Sequence, residues 1–250
     1  MGCLSELLRE QSPALLISVR CAAEAREAVA GGAHILDAKD PDAGPLGRSS
    51  VEARSQIAAL GAPARVVTAA LGELRDDEDP QDFTPEAGVA LYKLGLSGWG
   101  ARCGWETRAT AWQKRLAAAG AQLAPVAYAD AKAAEAPPPG SVLRHAAVHR
   151  CPVVLVDTYV KKGTGLRSLL SESELRAFVR DAHAEGILVA LAGSLGIEDV
   201  AAVLELGADV VAVRGAACRG SRRDASVERE RVQTLASIVE SFSSRIRRRA

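Results

Sequence analysis

Lysine and aspartate occur together in apolar stretches of the sequence. Asp37 and Lys39 stand in HILDAKDP, Lys93 stands in ALYKLGLSG, and Asp157 and Lys161 belong to VLVDTYVKK. A lysine that is partly removed from water beside a second lysine has a lowered pKa and can attack a carbonyl group to form an imine. A carboxylate within hydrogen-bond reach can shuttle protons, although it also raises the pKa of the lysine. These five residues are candidates for Schiff-base chemistry of the aldolase or lyase type.

Such side chains act together only if the fold brings them to one place. Short apolar runs alternate with stretches of helical spacing along the whole chain. Strands are predicted at residues 15–19, 34–39, 65–69, 91–96, 122–129, 153–157, 187–192 and 209–214. Helices are predicted at residues 22–30, 51–60, 85–90, 107–119, 142–149, 172–185, 197–206 and 227–242. Eight such units in 250 residues, with strands that are apolar on both faces, predict an α/β fold, a single (β/α)8 TIM barrel.

A doubly wound sheet is the alternative fold. The sequence has no G-x-G-x-x-G after its first strand and no G-x-x-x-x-G-K-[ST], which weakens that alternative and both nucleotide-binding interpretations. The segment SESE at 171–174 predicts a capping box at a helix start. We expect one domain over residues 1–250, with an N-terminal extension at 1–13 and a basic tail at 243–250.

The carboxyl ends of the barrel strands identify the candidate site, because those ends and the loops after them converge on one mouth. Asp37 and Lys39 lie two residues apart on the second strand and share the face that carries Ile35, so both are expected to enter the barrel. Lysines at such positions must meet Asp37, Asp157 or a bound anion. The glycine-rich loops after strands seven and eight predict a phosphate site. The phosphate-binding candidates are Gly193, Ser194, Arg214, Gly215 and Gly220.

Composition excludes several classes of protein. Lys plus Arg and Asp plus Glu both number 31, so there is no broad electrostatic case for a nucleic-acid partner. No apolar run is long enough to cross a membrane, and the first residues lack a signal-peptide layout, so a cytoplasmic location is expected. The five cysteines are too dispersed for a disulfide framework and are interpreted as reduced thiols. The acidic segment at 72–85 is interpreted as a solvated loop.

No metal and no cofactor are predicted. His145 and His149 have the i, i+4 spacing of a metal pair, but a third ligand is missing, and they are interpreted as helix-surface histidines. Trp99, Trp105 and Trp112 are interpreted as packing or subunit contacts, and a homo-oligomer is expected.

Five motifs in order carry a resemblance to a known family. GGAHILDAKDPDAGPLG, YKLGLSG, VDTYVKKGTGL, ALAGSL and AVRGAACRG resemble the (5-formylfuran-3-yl)methyl phosphate synthases, also called 4-(hydroxymethyl)-2-furancarboxaldehyde-phosphate synthases, over residues 14–235. The family motif at strand two often continues with Asn-Pro, whereas this chain has Asp40 and Pro41.

The resemblance implies a carbon–oxygen lyase in methanofuran biosynthesis. Its members condense two molecules of glyceraldehyde 3-phosphate, with loss of phosphate and water, to a phosphorylated furan aldehyde. The imine-forming lysine of the family falls on Lys39, and its other active-site residues fall on Asp37, Lys93, Asp157 and Lys161. Lys93 and Asp157 are expected to lower the pKa of Lys39 and to move protons, and Lys161 to neutralise a phosphate or an enolate. The alternatives are a Schiff-base aldolase or isomerase for another sugar phosphate, and a non-catalytic regulator that binds a triose phosphate.

Overall fold

Eight parallel strands close into a barrel in the order of the sequence. The computed structural model describes residues 13–61, 65–161 and 164–248. Each strand pairs in parallel with the next, and β8 returns to pair with β1. The predicted (β/α)8 barrel is therefore confirmed. The strands are β1 (Ala14–Val19), β2 (Ile35–Ala38), β3 (Val66–Glu73), β4 (Leu91–Gly95), β5 (Gln122–Tyr128), β6 (Val153–Asp157), β7 (Leu188–Leu191) and β8 (Val210–Val213).

Helices surround the barrel at most of the predicted places. They are α1 (Ala22–Ala30), α2 (Val51–Gly61), α3 (Trp105–Ala118), α4 (Pro139–Val148), α5 (Leu166–Leu169), α6 (Glu172–Ala184), α7 (Val200–Glu205) and α8 (Arg229–Arg247). The capping box is present at the start of α6, where Ser171 and Glu174 bond reciprocally. Helix α8 continues through Arg247, so part of the expected basic tail is helical. Among the described helices, none combines the length and apolar character needed to span a membrane.

The helix predicted at 85–90 is wrong. Between β3 and β4 the described chain has only a 3-10 turn at Pro80–Asp82. The carboxylate of Glu86 accepts a hydrogen bond from the hydroxyl of Tyr92 at 2.7 Å and pairs with Arg54 at 2.5 Å. Gly88 has a φ of +87°, a left-handed conformation that interrupts a helix. Tertiary contacts of Glu86 therefore replace the helical hydrogen bonds that the local spacing favoured.

The barrel interior is apolar at one end and charged at the other. Leu16, Ile35, Val66 and Leu91 belong to one buried apolar cluster. Farther along the same strands, the inward positions carry polar groups, among them Asp37 and Lys93. The charged side chains thus lie at the carboxyl end of the barrel, where the sequence placed them. The cysteines described, Cys21, Cys103, Cys151 and Cys218, are free thiols, and Cys3 lies outside the described residues.

Candidate active site

A buried ion pair joins β2 to β4 inside the barrel. The ammonium of Lys93 lies 2.5 Å from Asp37 Oδ2. The hydroxyls of Ser18 on β1 and Thr68 on β3 donate to the two oxygens of Asp37 at 2.7 and 2.8 Å. These three donors satisfy a carboxylate that is fully buried. The arrangement confirms that Asp37 enters the barrel, and it holds the Lys93 amine at a fixed place.

Asp157 lies between two lysines at the end of β6. Its Oδ1 is 2.5 Å from Lys161 Nζ, and its Oδ2 is 3.9 Å from Lys39 Nζ. The backbone N–H of Thr158 also donates to Oδ1, at 2.7 Å. Lys161 is therefore the close partner of this carboxylate, and Lys39 is held more loosely. An amine with a loose partner is easier to deprotonate than one in a close ion pair.

The pKa of the Lys39 amine lies well below the usual value for a lysine. The pKa of Lys39 is lowered from 10.5 to about 7. Burial is the largest cause, and the positive charges of Lys161 and Lys93 act in the same direction, against the opposing effect of Asp157 and Asp37. The expectation that Asp157 helps to lower this pKa is wrong in sign, because a carboxylate favours the charged amine. Burial raises the pKa of Asp157, but Lys161 and Lys39 outweigh it, so that this pKa is lowered. At neutral pH, Lys39 is present in a substantial uncharged fraction beside an ionised carboxylate.

A cavity of about 750 Å³ opens onto this cluster. Lys39, Lys93, Asp157 and Lys161 line it, together with four of the predicted phosphate-binding residues: Gly193, Ser194, Arg214 and Gly215. Gly220 is exposed and does not line the cavity.

The loop after β7 offers backbone donors to the cavity. The N–H groups of Gly193, Ser194 and Leu195 donate to no other residue in the described part of the chain. Gly193 has a φ of +109°, and a Cβ there would lie 2.7 Å from the Thr158 side chain, so only glycine fits. Ser194 also has a positive φ, of 51°. Successive free N–H groups in such a turn are suited to bind an anion.

The Arg214 side chain serves the fold. Its guanidinium donates to Glu24 at 2.9 Å and to the backbone oxygens of Ser18, Arg223 and Ala225. These acceptors occupy its donors and tie β8 to β1 and to the first turn of α1. A phosphate role for this segment therefore rests on the backbone and not on the Arg214 guanidinium.

Glu24→Gln is expected to destabilise the protein strongly. Glu24 is 4% exposed and neutralises the buried Arg214 guanidinium. Removing one partner of a buried pair leaves an unpaired charge and costs about 3–5 kcal/mol. Thermal unfolding should show a midpoint lower by roughly 10 °C for a chain of this size. Glu27→Gln on the same helix is the control, because Glu27 is 42% exposed and pairs with Arg229 at 3.4 Å. An equal loss in both variants would contradict this account.

Two supporting residues escaped the sequence analysis. Tyr128 donates its hydroxyl to Glu73 at 2.5 Å, and burial and Glu73 raise the pKa of Tyr128 well above its usual range. A Cβ at Gly95 would lie 2.2 Å from the Glu73 carboxylate, so glycine at that strand end makes room for the pair. Tyr128 is buried in the apolar cluster of the barrel interior. No local pattern in the sequence indicates its partner, because Glu73 follows a β-bulge in β3.

Asp130 fixes the loop that carries Lys161. Its carboxylate accepts hydrogen bonds from the N–H groups of Tyr159 and Val160 at 2.7 and 2.8 Å. The turn after β6 is thereby held to the end of β5. Lys162 lies outside the described residues.

Other expectations have mixed outcomes. The interpretation of His145 as a surface residue is wrong, because His145 is buried and its ring packs 5.0 Å from that of Trp105.

Trp99, Trp105 and Trp112 are buried within the chain, which confirms that they pack in the core. The homo-oligomer stays a prediction. The acidic segment is not merely solvated, since Glu78 pairs with Arg48 at 2.5 Å.

Fold and site together define a (β/α)8-barrel protein with a lysine–aspartate cluster in the mouth of the barrel. A sequence model of the 4-HFC-P synthase family matches residues 15–236, and the chain belongs to that family. It is therefore an enzyme. A (5-formylfuran-3-yl)methyl phosphate synthase of Methanopyrus kandleri is 39% identical over 90% of this chain and 98% of its own length. Synthases of the same name from Methanocaldococcus jannaschii and Methanococcus aeolicus are 32% and 31% identical, over 88% and 90% of this chain and 97% and 99% of their own lengths.

Solved structures share the barrel at low sequence identity. A 3-hexulose-6-phosphate synthase has a TM-score of 0.62 at 15% identity, covering 90% of this chain and 99% of its own. Thiamine phosphate pyrophosphorylase from Pyrococcus furiosus has a TM-score of 0.61 at 16% identity, covering 94% and 98%. These similarities support the fold alone.

Proposed function

We propose that this enzyme condenses two molecules of glyceraldehyde 3-phosphate to (5-formylfuran-3-yl)methyl phosphate, for methanofuran biosynthesis, through an imine on Lys39. The substrates contain one phosphate and two waters more than the product, so the reaction balances without an oxidant or a reductant. It is a carbon–oxygen lyase reaction that acts on phosphates. The observation that carries the proposal is the buried Lys39 amine, with a pKa of about 7, in a cavity beside Asp157.

The uncharged Lys39 amine attacks the aldehyde carbon of the first triose phosphate. The carbinolamine then loses water to give the imine, and this step needs a proton delivered to the departing hydroxyl. Asp157 and its close partner Lys161 are the acid–base pair next to the reacting nitrogen. Once formed, the imine draws electrons from the adjacent carbon, and a base that removes its proton yields the nucleophile for carbon–carbon bond formation.

The remaining charged groups hold and neutralise the substrate. Lys93, fixed by Asp37, contributes positive charge that favours an uncharged Lys39 and an anionic intermediate. Free N–H groups at Gly193, Ser194 and Leu195 are suited to one phosphate of the substrates. Lys161 offsets the charge of a phosphate or an enolate near Asp157.

Reductive trapping tests the imine. The protein is incubated with glyceraldehyde 3-phosphate and cyanoborohydride, digested, and the added mass is located by mass spectrometry. We expect the adduct on Lys39. An adduct on Lys93 or Lys161 instead would overturn the assignment. In parallel, the near-ultraviolet absorbance of a furan aldehyde identifies the product and separates this activity from that of an aldolase or isomerase for another sugar phosphate.

The pH dependence of the reaction should reflect the amine. Because the pKa of Lys39 is about 7, kcat/KM should rise as the pH increases through about 7 and then level off. The phosphate of the substrate also ionises near pH 6, so trapping with glyceraldehyde, which lacks phosphate, is the control. If the rates with both aldehydes rise only near pH 10, the pKa of Lys39 is not lowered in the way proposed.

A further inference from the structure

The cavity must accommodate two phosphoryl groups under the proposed function, and the N–H groups after β7 account for one of them. A second phosphate requires further positively charged hydrogen-bond donors near Lys39. Nearly all cationic side chains that line the cavity are already committed. Ion pairs of 3.9 Å or less join Lys39 and Lys161 to Asp157, Lys93 to Asp37, Arg214 to Glu24 and Arg222 to Asp224.

Arg223 is the exception among the described cations of the cavity. It has no carboxylate partner in the described part of the chain. Its Nη2 donates to the backbone oxygens of Pro41 and Gly44 at 3.2 and 3.3 Å. Its Nε and Nη1 donate to no described group. A half-buried guanidinium with free N–H donors is suited to bind an anion. The two contacts of Nη2 hold this guanidinium in place without a ligand.

The position of Arg223 relates it to the reacting amine. Its Nη2 contacts surround the 3-10 turn Pro41–Ala43, which begins two residues after Lys39. Asp157 acts electrostatically on its guanidinium, so this charge also lies within reach of the catalytic cluster. Arg223 therefore stands over the loop that follows Lys39, whereas the backbone donors of Gly193 and Ser194 lie after β7. Two anions can thus be held at different walls of one cavity.

We propose that Arg223 binds the phosphate of the second triose phosphate and holds that molecule against the imine on Lys39. This subsite rests on the proposed function, because it assigns a place to the second substrate of that reaction. Arg223 is then a binding residue for the second substrate only, and it is not required for capture of the first.

The test separates the two substrates in Arg223→Gln. The first measurement is the concentration of glyceraldehyde 3-phosphate that half-saturates trapping of the Lys39 imine with cyanoborohydride. The second is kcat/KM for furan formation, followed by absorbance. We expect trapping within about threefold of the original protein and a fall of about 100-fold in kcat/KM, the usual effect of losing charge-assisted hydrogen bonds. Arg223→Lys, which keeps the charge, should recover about tenfold of that loss.

A matched control lies in the same loop. Arg219 is 76% exposed, pairs with Glu228 at 2.8 Å and does not line the cavity. Arg219→Gln should change neither measurement by more than about twofold. If Arg223→Gln does not fold, Arg223→Lys decides the question by the same two measurements.

Three outcomes bear on the proposal in different ways. A kcat/KM for Arg223→Gln within about threefold of the original overturns the subsite. An equal fall in trapping and in furan formation also overturns it, because Arg223 would then act on the first substrate or on the turn after Lys39. Absence of any Lys39 adduct in the unmodified enzyme contradicts the imine. In that case, a KM for furan formation that rises in Arg223→Gln but not in Arg219→Gln still supports the subsite.

Discussion

Lys39→Met is expected to retain less than about one ten-thousandth of the furan-forming activity, because methionine cannot supply the imine nitrogen and the neighbouring amines of Lys93 and Lys161 are held in ion pairs of 2.5 Å. Methionine has nearly the length of lysine and no nucleophilic nitrogen. Lys39→Arg keeps the charge and should be equally inactive, since a guanidinium remains protonated at neutral pH. The measurement is the initial rate of furan absorbance with saturating glyceraldehyde 3-phosphate.

Lys39→Met should also stabilise the protein. Between the folded-state pKa of about 7 and the usual 10.5, the unfolded chain binds a proton that the folded chain does not. The stability cost of Lys39 is therefore complete below pH 7 and disappears as the pH rises toward 10.5. Lys39→Met removes this cost, so the unfolding midpoint at pH 7 should rise by roughly a few degrees. A lysine buried for catalysis thus lowers stability where it makes the amine reactive.

Lys114→Met is the control for Lys39→Met. Lys114 is exposed on α3 and does not line the cavity. It should keep full activity and an unchanged midpoint. Activity of Lys39→Met above about one hundredth of the original rate would contradict an obligatory imine on Lys39.

The charged cluster could be predicted from the sequence because each of its members lies near the carboxyl end of an apolar strand or in the loop just after it. Strand alternation fixes the face on which Asp37 and Lys39 lie, and closure of the barrel brings the strand ends together. The partner of each side chain depends on distances between strands that alternation does not specify. The close contact of Lys161 with Asp157, against 3.9 Å for Lys39, is such a distance.

Arg214 and Arg223 illustrate why residue type alone misassigns roles. Both are arginines in one glycine-rich basic segment, and the sequence selected Arg214 because it ends a strand. The first turn of α1 places Glu24 against Arg214, a contact between residues 190 positions apart. That contact commits the guanidinium to the fold, whereas Arg223 has no carboxylate partner among the residues that the structure describes. Long-range contacts of this kind have no local signature in the sequence.

The helix predicted at 85–90 failed for a related reason. Helical spacing records which residues can share a face, but it does not show whether their side chains have better partners elsewhere. Glu86 pairs with Arg54 on α2 and accepts a hydrogen bond from Tyr92 on β4. Propensity yields to such buried polar contacts, because leaving them unmade is costly.

Asp157→Asn should lower kcat and at the same time move the acid limb of kcat/KM below pH 7. The carboxylate shuttles protons around the Lys39 nitrogen, and loss of a general acid–base costs about 1,000-fold in rate. The same carboxylate raises the pKa of Lys39, so its removal leaves only the weaker effect of Asp37 to oppose Lys161 and Lys93 and lowers that pKa further. A merely structural role for Asp157 would reduce the rate without shifting the limb in this direction.

Asp37→Asn is the matched comparison for Asp157→Asn. Asp37 also raises the pKa of Lys39, but its effect is smaller than those of Asp157, Lys161 and Lys93. The acid limb of kcat/KM should therefore move less in Asp37→Asn than in Asp157→Asn. Loss of the carboxylate that pairs with Lys93 should still reduce the rate. The profiles are measured from pH 5 to 9 by furan absorbance, with thermal unfolding of each variant to confirm the fold. A limb that stays in place or moves upward in Asp157→Asn would show that Asp157 does not act on the amine, because a carboxylate near Lys39 can only favour its protonated form.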